Sequence, residues 1–240
     1  MKGVAEGDRH FGKRKGDLEL VPSPEKGRFP LHVDADGDQG EPCFLGQKKK
    51  ARIGVVIFNA RRAVDQQVGI IALFFEDIED LLNAGADKVS LNSSIVRNPD
   101  LISEASKCFG SQAIVAAIDS RTTGDLHKVF VKGGTEETEL ETIPWCRRAE
   151  ELGAGEILLT SMNKDGTKSG YDIPLLAYLS SELTIPIIAS GGAGTKEHFL
   201  EAFSETNVDA CLAASLFHYK ELGIGELKQY LKNNNIEIRI

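Results

Sequence analysis

The chain has 240 residues, 41% of them hydrophobic and 27% charged, which are the proportions of an ordinary globular protein. A formal net charge of −8 argues against a nucleic-acid-binding surface. Four scattered cysteines (Cys43, Cys108, Cys146, Cys211) with no C-x-x-C pair read as isolated reduced thiols, not a zinc site or disulfide framework. No apolar run approaches the ~18 residues of a membrane span, and the polar N-terminus has no apolar core of a signal peptide, so the expected location is the cytoplasm.

Taken in chain order, residues 1–75 form an atypical N-terminal segment. Asp34, Asp36 and Asp38 fall among glycines, residues 47–50 form a basic run that reads as solvated, and only residues 53–58 (IGVVIF) and 68–75 (VGIIALFF) suggest buried strands. From Glu76 onward the pattern changes. Short apolar runs at 88–91, 113–118, 156–160, 186–189 and 210–213 alternate with helical stretches at 99–109, 142–152, 171–183, 195–203 and 223–233. Buried strands alternating with helices imply parallel βαβ units. The length fits one barrel or two smaller domains, and the five or so units within residues 76–240 point to an α/β fold, a (β/α)₈ TIM barrel that is irregular or incomplete over its first three βα units.

An internal repeat supports a barrel built from two halves. Residues 76–94 (EDIEDLLNAGADKVSLNSS) parallel residues 196–215 (KEHFLEAFSETNVDACLAAS), with Ile78 opposite Phe199, Leu82 opposite Phe203 and, after a one-residue insertion, Asp87 opposite Asp209. In the second copy the helix is preceded by ASGGAG, so the repeat predicts a glycine-rich loop at 69–73. The sequence there is GIIAL.

Several strings carry chemistry. ASGGAG follows the apolar run IPII and opens a helix. Ser190, Gly191 and Gly192 would let backbone N–H groups approach a phosphate, although a tight turn without ligand is the plainer reading. Ala214 and Ser215, at the end of the next strand, would complete that cradle, and the repeat pairs them with Asn92 and Ser93 as a second one. LLTSMNKDGTKSGYD places Thr160, Asp165 and Gly166 at or after a strand end, on the rim where barrel enzymes keep their sites. Asp119 closes the run AIVAAID, where its carboxylate would face the mouth as an acid–base group or else cap the next turn.

GADKVSLNS, GSQAIVAAID, GAGEILLTSMNKDGTKSGYD, PIIASGGAG, EHFLEAF and LAASLFHY, in this order and spacing, resemble the cyclase subunit family of imidazole glycerol phosphate synthase over about two-thirds of the chain. The resemblance implies a lyase of histidine biosynthesis, forming a heterodimer with a glutaminase that delivers ammonia through the barrel. The substrate would be a bis-phosphorylated formimino carboxamide ribotide. Ring closure and C–N cleavage would give imidazole glycerol phosphate and aminoimidazole carboxamide ribotide, with no metal and no organic cofactor. It also implies Asp119 as an acid–base carboxylate, with Asn92, Ser93, Thr160, Asp165, Gly166, Ser190, Gly191, Gly192, Ala214 and Ser215 holding substrate. Lys88 and Glu156 would gate ammonia on the glutaminase face.

The family pattern also asks for a first-strand carboxylate in a string like C-L-D-V-x-D-G-R. The nearest match is PLHVDADGD at 30–38, with His32 where the Asp belongs and Asp34 or Asp36 as substitutes. The sharp change near Glu76 would follow from a shifted reading frame or a misjoined exon ahead of a genuine barrel gene, or else from a divergent N-terminal part that closes the barrel in its own way. Two other readings therefore stay open: an inactive or truncated barrel that only binds phosphorylated ligand or the glutaminase, and the sister isomerase of the pathway, which needs neither ammonia nor partner.

Overall fold

The computed structural model describes residues 52–54, 75–83 and 85–238. Its elements are β1 (Arg52–Gly54), α1 (Phe75–Asn83), β2 (Val89–Leu91), α2 (Ser93–Arg97), α3 (Asp100–Phe109), β3 (Ile114–Thr123), β4 (Leu126–Val131) and β5 (Glu136–Glu141). There follow α4 (Thr142–Glu151), β6 (Glu156–Ser161), α5 (Ile173–Glu182), β7 (Ile187–Ser190), α6 (Lys196–Glu205), β8 (Ala210–Leu212), α7 (Ser215–His218) and α8 (Ile224–Asn233).

Among the described residues six strands run parallel in the spatial order β1-β8-β7-β6-β3-β2. Helices follow β2, β6, β7 and β8 directly, which is the repeating unit of a (β/α)₈ barrel, and β1 beside β8 is the pairing of first and last strands that such a barrel requires. β3 differs. It pairs antiparallel with β4, and β4 with β5, before the chain enters α4.

Strand parity separates two cores. Ile114, Ala116, Ile118, Ile157, Leu159, Ile187, Ala189, Cys211 and Ala213 pack with Ile102, Trp145, Leu179, Phe199 and Leu227 of the helices. The alternate residues Val115, Leu158, Ile188 and Ala210, with Ala117 and Leu212, form their own cluster, the lining of the barrel lumen. Being buried on both faces is why these strands read as continuous apolar runs.

The five helices expected after Glu76 are present with ends shifted by at most two residues. The two halves of the repeat share an order, helix–strand–short helix, as α1-β2-α2 and α6-β8-α7, and the paired residues Ile78 and Phe199 are both fully buried. Three expectations need correction. The run 113–118 does not end its strand at Asp119, because β3 continues to Thr123. The hairpin strands β4 and β5 were not anticipated. Phe75 belongs to a helix instead of a strand, and its ring stacks on Phe109 at 5.4 Å. Residues 55–58 and 68–74, the expected loop at 69–73 and the string at 30–38 lie outside the described residues.

Candidate active site at the carboxyl ends of the strands

The register places Asp119 of β3, Thr160 of β6, Ser190 of β7 and Leu212 of β8 in one row across the sheet. Asp119 has the parity of Val115 and Ala117, Thr160 that of Leu158, and Ser190 that of Ile188, so all three lie on the lumen side at its mouth. Asn92, one residue past the end of β2, donates from Nδ2 to Asp119 Oδ2 at 3.1 Å. Ser93 Oγ donates to Asn92 Oδ1 at 3.3 Å and accepts the Lys132 N–H at 2.9 Å. A chain of polar groups therefore runs from the tip of the β4–β5 hairpin to the Asp119 carboxylate and fixes its orientation.

Burial raises the Asp119 pKa above the usual carboxylate value; the Asn92 hydrogen bond lowers it in part, and the nearby Asp165 charge raises it again. Asp119 does not cap a turn as the plainer reading had it: it sits within a strand, opposite Phe130 of β4, and the next helix begins only at Thr142. The hairpin that carries β3 past Asp119 is anchored to the neighbouring loop, with Met162 N–H donating to Ser120 O at 2.8 Å and Thr122 N–H to Asn163 Oδ1 at 2.8 Å.

The glycines of ASGGAG have a structural cause in the packing of the loops. A Cβ on Gly192 would lie 2.1 Å from Gly170 O, and one on Gly191 would lie 2.6 Å from Ser161 O. One on Gly194 would lie 2.5 Å from Lys168 Cβ. Gly191 and Gly192 also have φ of 90° and 104°, where side chains are strained. The loop after β6 thus lies backbone to backbone on the loop after β7, joined by Gly170 N–H donating to Gly192 O at 2.9 Å. Asp165 and Gly166 are exposed on this loop, and Gly166 (φ 72°) has open space around it. Tyr171, buried and edge-on to Phe199 at 5.6 Å, donates from its hydroxyl to Leu212 O at 3.0 Å and ties the loop's end to β8. Ala214 and Ser215 are exposed where α7 begins, as Asn92 and Ser93 precede and open α2.

At the opposite ends of the strands Lys88 Nζ reaches Glu156 Oε1 at 2.5 Å, with only 12% and 5% of the two side chains exposed. Ser90 and Glu156 pair with the same residue of β3, Val115, so Ser90 lies level with the Glu156 end of this ion pair, on the way to Asp119. The Ser90 hydroxyl is buried with no hydrogen-bond partner among the described residues. Sequence reasoning missed Ser90 and the Lys132 main-chain donor. Parity along KVSLN could have found the first, and the V-K-G-G turn after a Val- and Phe-rich run could have found the second.

The structure therefore brings Asn92, Ser93, Asp119, Thr160, Ser190, Gly191 and Gly192 together at one end, and Lys88 with Glu156 at the other. Among the described residues no cluster of three or more His, Cys, Asp or Glu side chains could hold a metal. No helix there is long and apolar enough to cross a membrane.

The family described as "Histidine biosynthesis protein" matches residues 53–223. Proteins named imidazole glycerol phosphate synthase subunit HisF are similar to this chain. That of Hydrogenobaculum sp. is 57% identical over 166 residues, 69% of this chain and 66% of its own length. That of Cytophaga hutchinsonii is 56% identical over 164 residues, 68% of this chain and 65% of its own length. Against these two the chain spans just under two thirds of the relative. The protein from Bacillus cereus is 54% identical over 217 residues, 88% of this chain and 85% of its own length. The parallel register and these matches agree, and the chain belongs to the histidine biosynthesis protein family.

Proposed function

We propose that this chain is the cyclase subunit of imidazole glycerol phosphate synthase, acting in the cytoplasm with a glutaminase. The observation that carries the reading is Asp119, held by Asn92 at the mouth of the lumen in a row with Thr160 and Ser190. Ammonia would enter beside the Lys88–Glu156 pair, pass Ser90, whose hydroxyl has no partner among the described residues and can bond a small polar molecule, and reach a substrate lying across the mouth. The raised pKa of Asp119 keeps its proton available closer to neutral pH, which suits a group that must donate and accept protons during ring closure and C–N cleavage. The two phosphates would rest on Asn92 with Ser93, and on Gly191, Gly192, Ala214 and Ser215, while Thr160, Ser190, Asp165 and Gly166 hold the body of the substrate. Such positioning accounts for much of the rate in an intramolecular cyclisation.

Turnover of the formimino ribotide with ammonium salt, by the full chain and by Asp119→Asn, tests the reading. Wild-type activity reduced by about 10²–10⁴-fold in the variant supports it. A folded wild type without ammonia-dependent turnover would favour an inactive barrel, and ammonia-independent isomerisation of the pathway's ribotide would favour the sister isomerase.

A further inference from the structure

Lys168 has φ of 56° in the left-handed region, a conformation that costs a residue with a side chain about 1 kcal/mol and that glycine adopts freely. Its Nζ donates to both carboxylate oxygens of Glu221, at 2.7 and 2.6 Å. Glu221 lies between α7 and α8, so the pair joins the loop after β6 to the segment after β8. Both side chains are partly exposed, 46% and 37%, and an exposed pair stabilises a fold by at most about 1 kcal/mol. That only offsets the backbone cost, so the net effect of the pair is to fix position.

The surroundings reinforce this. Gly194 leaves room for the Lys168 stem and backbone directly against it. Thr167 Oγ1 donates to Lys164 O at 2.6 Å and lies 2.7 Å from Ser169 Oγ, stiffening the loop on either side. Three residues before Lys168 is Asp165, a carboxylate at the same mouth as Asp119.

We propose that Lys168 and Glu221 are positioning residues: their ion pair clasps the loop after β6 to the segment after β8 and so holds Asp165 and Gly166 at the substrate. This rests on the proposed function for its catalytic consequence, but not for the clasp itself.

The test uses the full chain with Lys168→Met, Glu221→Gln, Lys168→Arg and the swapped pair Lys168→Glu/Glu221→Lys. Each of the first two variants should raise KM and lower kcat/KM by about tenfold, with the melting temperature nearly unchanged, while Lys168→Arg and the swap recover most of the loss. Hydrogen exchange at the Gly170 amide, which donates to Gly192 O, should quicken about tenfold in the same two variants and slow again in the rescues. If the wild type shows no ammonia-dependent turnover, the proposed function fails while the exchange rates still decide the clasp. Unchanged Gly170 exchange in both single variants, or kcat/KM within about twofold of an active wild type, would overturn it.

Discussion

Asp119 is the residue in which burial and chemistry are most directly coupled. Because burial raises its pKa in the folded state above the unfolded value near 3.8, the folded protein keeps this proton to higher pH than the unfolded chain does. The resulting contribution to stability is complete below the unfolded pKa and is lost as pH rises through the folded one. Asp119→Asn, which never ionises and can still accept from Asn92, should therefore melt higher than wild type at neutral pH. The difference should vanish in melts run below about pH 3.9, whereas a variant that melts lower at neutral pH would contradict the account. The cysteines give a second test at this scale. Burial pushes the Cys146 thiol up to about 12 and Cys211 higher still, while Cys108 is exposed. Native thiol labelling read by mass spectrometry should therefore modify Cys108 well before Cys146 or Cys211. Asp119 was legible in the sequence because it ends an apolar run. Its carboxylate's partner was not, because Asn92 lies 27 residues away and only strand pairing brings the two together.

At the scale of elements, the loops after β6 and β7 behave as one unit. Gly192→Ala would force a Cβ against the Gly170 carbonyl at a φ of 104°, and should cost more than about 2 kcal/mol in denaturant unfolding. Gly166→Ala meets open space and should cost only about 1 kcal/mol for its left-handed backbone. Equal losses would mean that loop packing does not dictate the glycines. The helices were readable within two residues because amphipathic periodicity and clear breakers bound them, as in α4, where Trp145, Cys146 and Ala149 are buried and Arg147 and Arg148 exposed. The β3–β5 extension escaped notice because β5 (EETELE) is mostly exposed and polar, leaving only weak alternation around Thr138 and Leu140. A strand of that kind is defined by its partner more than by its own residues.

For the whole molecule, the two ends of the lumen differ in their charged groups, an ion pair at one and the Asp119 carboxylate at the other. The Lys88–Glu156 pair sits among largely buried groups, so Lys88→Met should lower stability by about 3–5 kcal/mol by leaving Glu156 without that ammonium. In the proposed complex it should reduce glutamine-dependent turnover more than turnover fed by free ammonium. Measuring both rates on one preparation separates a gate from a purely structural pair, for which they would fall together.

Periodicity, the internal repeat and the strings ASGGAG and DGTKSGYD sufficed to specify alternating strands and helices, the barrel class and the family, because local propensity and burial patterns are written along the chain. Which residues meet was decided only by the tertiary structure. The register that aligns Asp119, Thr160 and Ser190, the bond from Asn92 to Asp119 and the close contact behind Gly191, Gly192 and Gly194 all join residues far apart in sequence. Such contacts depend on strand pairing and on backbone-to-backbone distance, and neither leaves a local mark in the order of amino acids.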